Sequence, residues 1–106
     1  MSKPVKNEAW MLELTSVVDG NYVITESAVA VSCNLTATGT EGAGYLSMWK
    51  YGDSWTGTSS LNWSQAGLDI ANNGIVELGS SIAVVLVGGD SLAATHFIVD
   101  ITGYLA

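Results

Sequence analysis

Apolar and polar side chains alternate along most of this chain, and that two-residue period limits its fold more than any other feature. One face of the segment 28–37 carries four apolar residues: Val29, Val31, Cys33 and Leu35. The same alternation recurs in two further segments, 44–51 and 95–104. No stretch of helical length carries an apolar stripe with the 3.6-residue period of a helix. The pattern therefore predicts an all-β chain.

Turn-forming residues separate the extended segments at short intervals. Twelve glycines and one proline among 106 residues suit loops that need positive φ angles. We predict seven to eight strands, near 10–18, 21–26, 28–37, 44–51, 59–64, 74–79, 81–87 and 95–104. The turns are predicted at 19–21 (a tight hairpin), 38–44, 51–60, 71–74 and 88–91. This spacing indicates an antiparallel β-sandwich of the jelly-roll type.

The domain organisation that follows is simple. Residues 9–106 are predicted to form a single β-sandwich domain, and residues 1–8 a flexible N-terminal arm. The segment 81–87 is apolar on both faces, since Ile82, Val84 and Leu86 alternate with Ala83, Val85 and Val87. A strand of this kind is expected to lie at the centre of a sheet or in an interface.

The charge balance excludes two classes of partner. Lys and Arg total 3 against 10 Asp and Glu, giving a formal net charge of −7, and no residue is an arginine. Binding to nucleic acid or to an anionic membrane surface requires several cations on one face, so both are excluded. No apolar run reaches 18 residues, so we expect no membrane insertion. The first residues lack the apolar run of a signal peptide, so we expect none in this sequence.

The chain has few charged residues for its surface. Only 12% of the residues are charged, about half of the usual share for a soluble domain. Such a composition suggests that part of the surface is covered by a neighbouring domain, by other copies of the chain or by a flat ligand. A homo-oligomer is therefore one expected state.

No constellation of residues in the sequence indicates catalysis. On an extended strand His96 and Asp100 stand about 13 Å apart, at roughly 3.3 Å per residue, too far for a hydrogen bond. The single histidine excludes a His-rich metal site, and the lone Cys33 excludes an internal disulfide. Four carboxylates lie in predicted loops: Glu41, Asp53, Asp69 and Asp90. Their spacing matches no calcium loop, although calcium binding by them stays open. We predict no enzymatic activity, no cofactor and no metal.

Aromatic residues cluster in the middle of the chain. The candidate ligand-binding set combines five of them with one acid: Tyr45, Trp49, Tyr51, Trp55, Trp63 and Asp53. Exposed indole rings stack on sugar faces, and nearby Asn, Asp and Ser side chains bond hydroxyl groups. A two-layer β-domain also needs large side chains in its core and interfaces. Both interpretations, carbohydrate platform and core or interface, stay open at this point.

Three blocks of the sequence resemble a known family. They are "AVAVSCNLTATGTEGAGYLSMWKYG", "SSLNWSQAGLDIANNGIVELG" and "ATHFIVDITGYL", which together span 28–105. In this order they resemble a β-rich repeat domain at the C-terminal end of secreted and cell-surface proteins of actinobacteria. The opening segment of that family has no counterpart in 1–27. Lys50 stands where the family often has proline, and Leu105 where it closes with phenylalanine.

The resemblance implies a non-catalytic role and a location outside the cell or on its surface. The matching positions are Asn34, Thr36, Gly44, Tyr45, Leu46, Trp49, Leu61, Asn62, Trp63, Asn72, His96, Asp100, Gly103 and Tyr104. Our leading hypothesis is a β-sandwich module that binds a surface glycan or a neighbouring protein domain. The alternative is a self-assembling structural module, of the kind found in phage decoration or fibre proteins or in a surface lattice.

Overall fold

The computed structural model describes residues 3–14, 17–18, 21–22, 28–55, 57 and 59–105. Nine strands lie in these ranges: β1 (Ala9–Glu13), β2 (Val17–Val18), β3 (Asn21–Tyr22), β4 (Ala30–Glu41), β5 (Gly44–Lys50), β6 (Leu61–Trp63), β7 (Ile70–Glu77), β8 (Ile82–Gly89) and β9 (Ala94–Leu105). Within the described part of the chain, no helix has the length and apolar character needed to cross a membrane.

Seven of the strands form two antiparallel sheets that pack together. The first sheet has the order β1-β8-β5-β6 and the second sheet the order β7-β4-β9. The sheets do not close into a barrel, so the predicted antiparallel β-sandwich is confirmed. The short strands β2 and β3 pair separately, with Val18 opposite Asn21, in agreement with the predicted hairpin. Asp19 and Gly20 of that hairpin lie outside the described residues.

The core lies between the sheets and is built from the inward positions of the alternating pattern. In β4 the predicted face is buried at Val31, Cys33 and Leu35. It meets Leu46 of β5 and Val85 of β8, both fully buried. A buried aliphatic side chain contributes about 1.5–3 kcal/mol, so this contact carries much of the stability.

Strand β8 is central, as its two-sided apolar pattern predicts. It pairs with β1 on one side and with β5 on the other, and its outward Val84 is as well buried as a core residue. Strand β9 also keeps the predicted faces, because Phe97 and Val99 pack on the core whereas Ile98 is exposed. Val29 differs from the prediction: it precedes β4 and is exposed.

Two predicted turns are strand in the structure. Residues 71–74 lie inside β7, and residues 38–41 continue β4 beyond its predicted end. Pairing explains the first difference, since β7 meets β4 residue by residue from Ala37 opposite Ile70 to Ala30 opposite Glu77. Hydrogen bonds to β4 hold this stretch extended although Asn and Gly have a low strand propensity.

The N-terminal segment 3–8 is docked on the sandwich, so the prediction of a flexible arm is wrong for these residues. Val5 forms a bridge with Ala94 of β9, and the Lys6 N–H donates to the Ala93 carbonyl at 2.9 Å. The Lys3 ammonium donates to the Gly39 carbonyl at 2.7 Å. Sequence propensity misses such docking because these contacts are all distant along the chain.

Candidate binding surface

The outward face of β5 carries two of the predicted aromatic residues. Tyr45 and Trp49 alternate there with the buried Ser47, because odd-numbered residues of β5 point away from the core. Tyr45 lies opposite Gly88 of β8 in the register. A Cβ atom at Gly88 would stand 2.6 Å from Cε1 of Tyr45, so the tyrosine ring lies directly on the glycine backbone.

The loop that follows β5 folds back over this strand. The Trp55 indole N–H donates to the Ser47 hydroxyl at 3.1 Å, and the Trp49 indole N–H donates to the Asp53 carbonyl at 3.1 Å. The rings of Trp55 and Tyr45 are stacked, with centroids 5.9 Å apart and planes inclined by 16°. Two indole N–H groups and one ring stack therefore hold the loop in place.

We call Tyr45, Trp49, Tyr51 and Trp55 the aromatic face. Trp55 keeps 41% of its surface exposed and Tyr51 keeps 43%. Trp55 stacks on Tyr45, which in turn packs on Gly88 of the first sheet. Asp53 is exposed at the border of the aromatic face, in the turn that joins Lys50 to Trp55.

Trp63 does not belong to the aromatic face, and its inclusion in the predicted site is wrong. It is only 3% exposed and points into the core from β6, beside Leu61. Its indole N–H donates to the Glu41 carbonyl at 3.2 Å. The absence of a side chain at Gly44 makes room for it, since a Cβ there would stand 2.5 Å from Cζ2 of Trp63. The alternation Leu61-Asn62-Trp63 contained the signal for this burial.

An aliphatic strip continues the aromatic face across the first sheet, and sequence reasoning did not place it at the site. Met11 of β1 and Trp49 of β5 are both paired with Val84 of β8, and all three point outward. Met11 is exposed, whereas Leu86 in the same strip is half-buried. The two-sided apolar pattern of 81–87 was the available signal.

Two of the loop carboxylates, Asp69 and Asp90, accept hydrogen bonds from neighbouring backbone groups. The Thr38 hydroxyl, at 2.5 Å, and then the Gly39 N–H, at 3.2 Å, donate to Asp69 and lower the pKa of its carboxyl. The N–H groups of Ala43 and Leu92 donate to Asp90 at 3.0 and 2.9 Å and lower its pKa in the same way. Among the described residues, no group of three or more His, Cys, Asp or Glu side chains is placed to hold a metal ion.

His96 and Asp100 lie on the opposite side of the molecule from the aromatic face. Both are exposed on the outward face of β9, where they are paired with Thr38 and Asn34 of β4. Ile98 stands between them on the same face. Cys33 is buried in the core, and this burial raises the pKa of its thiol.

No protein-family model, curated protein or solved structure matches the chain. The resemblance of residues 28–105 to a repeat domain of actinobacterial surface proteins therefore stays a prediction.

Proposed function

We propose that this protein is a non-catalytic β-sandwich module of the cell surface or extracellular space, and that its aromatic face binds a glycan. One observation carries the proposal: Trp55 is anchored by a ring stack and a hydrogen bond and still exposes 41% of its surface. A large aromatic ring that is fixed but not buried supports a role in recognition rather than in packing.

The geometry suits the apolar face of a pyranose ring. The exposed part of the Trp55 indole offers a platform for the C–H groups of a sugar, and the exposed Asp53 beside it supplies an acceptor for hydroxyl groups. The anchors of Trp55 reduce the conformational entropy that binding would otherwise cost. The resemblance to surface-protein repeats supports the same non-catalytic role.

The charge of the chain restricts the kind of glycan. The net charge is −7, and both Asp53 and Glu13 lie on the side of the aromatic face. An anionic polysaccharide would be repelled, whereas a neutral or amino-bearing glycan would not. We therefore propose neutral glycans as the first ligands to test.

A glycan array with the wild type and two variants tests the proposal. Trp55→Ala removes the platform and should abolish binding. Tyr104→Ala removes an exposed aromatic ring from the second sheet and should leave binding unchanged. Absence of binding by the wild type to every neutral glycan on the array, or equal binding by Trp55→Ala, would rule out the glycan function.

The second candidate function is structural self-assembly. It is supported by exposed aliphatic side chains on the second sheet, among them Ile75, which is 73% exposed, and Leu105. Together with the low share of charged residues, they suit contacts between copies. Light scattering over a range of concentrations tests this function, and a mass that stays monomeric throughout would exclude it.

A further inference from the structure

Strand β7 lies at one edge of the second sheet, and only one of its sides is paired. The order of this sheet is β7-β4-β9, so β4 occupies the inner side of β7. Directly after β7, the Leu78 N–H donates to the Val29 carbonyl at 2.9 Å on that side. Backbone groups of alternate residues in a strand point to the same side, so those of Asn73 and Ile75 face the open edge. Among the described residues, no backbone group pairs with this edge.

The open edge of β7 lacks the usual protection of an edge strand. Lysine, proline and bulges are common means by which such an edge is kept from pairing. Residues 70–76 contain no charged residue and no proline, and the register with β4 runs from Ile70 to Glu77 without a shift. Ile75 is 73% exposed on the outward face. Strand β7 is therefore a suitable template for an added strand.

A small apolar cavity lies between the sheets beneath Gly74 of this edge. Its volume is about 50 Å³, and Cys33, Leu35, Met48 and Val76 form its apolar lining. A Cβ added at Gly74 would meet no atom within 4 Å. Because roughly 10–15 Å³ holds one water-sized group, the cavity accommodates about three or four such groups, the size of a valine or leucine side chain.

Two contacts between the sheets limit the site along the strand. At one end the Asn72 side-chain amide donates to the Ser60 carbonyl at 3.1 Å. At the other end the Lys50 ammonium lies 4.0 Å from the Glu77 carboxylate. The cavity lies between these two contacts, and the edge is open over residues 73–76. An added strand therefore pairs within this interval only.

We propose that an extended segment of a partner protein adds antiparallel to β7 and inserts one aliphatic side chain into the cavity. Its residues opposite Asn73 and Ile75 exchange backbone hydrogen bonds with them. The residue between stands opposite Gly74 as a pair without mutual backbone bonds, the arrangement that brings side chains closest. Its side chain points to the inward face, where Gly74 leaves the cavity free. The structure already contains a contact of this kind, since Tyr45 lies over Gly88 of β8.

The charge of the second sheet favours a basic partner. Asp100 and Glu77 lie at outward positions of this sheet, and Asp69 directly precedes β7. No lysine of the chain belongs to the second sheet, and the net charge of the chain is −7. A segment in which basic residues flank the aliphatic one is therefore attracted, whereas an acidic segment is repelled.

The β7 strand of a second copy does not meet these requirements. Its inward aliphatic residues, Ile70 and Val76, are packed in its own core and so do not reach the cavity of another copy. Two copies with a net charge of −7 each also repel one another. Because β7 belongs to the second sheet and the aromatic face to the first, the proposal is independent of the glycan function.

NMR titration of the ¹⁵N-labelled protein with a synthetic peptide tests the proposal. The probe is acetyl-Lys-Thr-Val-Leu-Lys-Thr-amide, whose leucine enters the cavity when its valine lies opposite Ile75. Because the contact is small, the dissociation constant is expected at about 1 mM. The amide signals of Asn73 and Ile75 should shift most. A probe with alanine in place of the leucine leaves the cavity empty and should bind at least about fivefold more weakly.

Methylation of single probe nitrogens separates strand addition from insertion of a side chain alone. The valine N–H of the probe faces Ile75, so methylation of that nitrogen should abolish binding. The leucine N–H points away from β7. Methylation there should keep the dissociation constant within about threefold.

Variants of the protein test the cavity from the other side. Gly74→Val fills the cavity and should weaken binding of the probe at least about tenfold. Because a Cβ at Gly74 meets open space, the fold should be kept, which urea unfolding checks. Ala71→Val is the matched control, since it adds the same side chain to the exposed outward face of β7 and should leave binding unchanged.

Several outcomes would overturn the proposal. The first is the absence of shifts at about 5 mM probe. Equal binding of the leucine and alanine probes, or equal effects of the two methylations, would show that the cavity or the backbone pairing is not used. Undiminished binding by Gly74→Val, shifts centred on the aromatic face, or self-association through β7 without the probe would also contradict it.

Discussion

The contact between Tyr45 and Gly88 offers a sharp test of how the aromatic face is built. Gly88→Ala adds one methyl group where the Tyr45 ring now lies. The new Cβ would stand 2.6 Å from Cε1, whereas carbon atoms in ordinary contact are roughly 3.5–4.0 Å apart. The ring must therefore move by about 1 Å or more. Because Trp55 is stacked on the other side of that ring, the displacement breaks the stack.

The net change in stability is expected to be small, since two effects oppose each other. Loss of the Tyr45–Trp55 stack costs about 0.5–1.5 kcal/mol. Replacing glycine by alanine inside a strand recovers about 0.5–1 kcal/mol of conformational entropy. The single variant therefore changes the free energy of unfolding by about 1 kcal/mol at most. A change of this size does not show whether the stack has been lost.

A double-mutant cycle isolates the stack. The cycle compares urea unfolding of four proteins: the wild type, Gly88→Ala, Trp55→Ala and the double variant. Because each single variant removes the same stack, the double variant loses less than the sum, and the coupling energy should be about 0.5–1.5 kcal/mol. Near-ultraviolet circular dichroism should show the same loss of aromatic signal in both single variants. Gly74→Ala is the control: its Cβ meets open space, so it should be additive with Trp55→Ala.

Additivity would refute the reasoning. If Gly88→Ala and Trp55→Ala add to within about 0.3 kcal/mol and Gly88→Ala keeps the aromatic signal, Tyr45 does not link the loop to β8. The preorganised platform on which the glycan proposal depends would then be absent.

Three further predictions concern stability. Hydrogen bonds lower the pKa of Asp69 and Asp90, so their contribution is present above about pH 4 and lost as the pH falls through the lowered folded-state pKa. Asp69→Asn with Asp90→Asn should therefore unfold at lower urea than the wild type at pH 7, and the difference should shrink as the pH falls below about 4. Trp63→Ala should lose about 3–5 kcal/mol in the same assay, and a loss below about 1 kcal/mol would contradict its place in the core. The turn residues Ser80 and Ser81 have φ angles of 51° and 69°. Replacing this pair by Asn-Gly should raise the thermal midpoint, with a gain of about 0.5–1 kcal/mol.

The sequence predicts the strands well wherever one face is buried. In β4 and β9 the alternation identified the inward residues, because burial on one side leaves a period of two in the chain. It failed at 71–74, where Asn, Asn and Gly look like a turn. That stretch is extended because β4 supplies its hydrogen bonds, and a partner distant in sequence leaves no local signal.

The candidate site was predicted in part. The aromatic cluster was visible as composition, and the structure brings Tyr45, Trp49 and Trp55 together on the first sheet. Which aromatic residues are exposed was not visible. Trp55 follows a glycine-rich turn and Trp63 ends the alternation Leu61-Asn62-Trp63, and the structure shows that a loop folded back over β5 holds the first at the surface whereas β6 buries the second.

The sequence by itself determined that this chain forms a charge-poor antiparallel β-sandwich, because side-chain periodicity and composition act residue by residue. The tertiary structure alone decided the strand order and the docking of residues 3–8. Each of these depends on hydrogen bonds between residues far apart in the chain. The geometry of the whole sandwich selects such pairing, and the sequence of a single segment carries no signal of its distant partner.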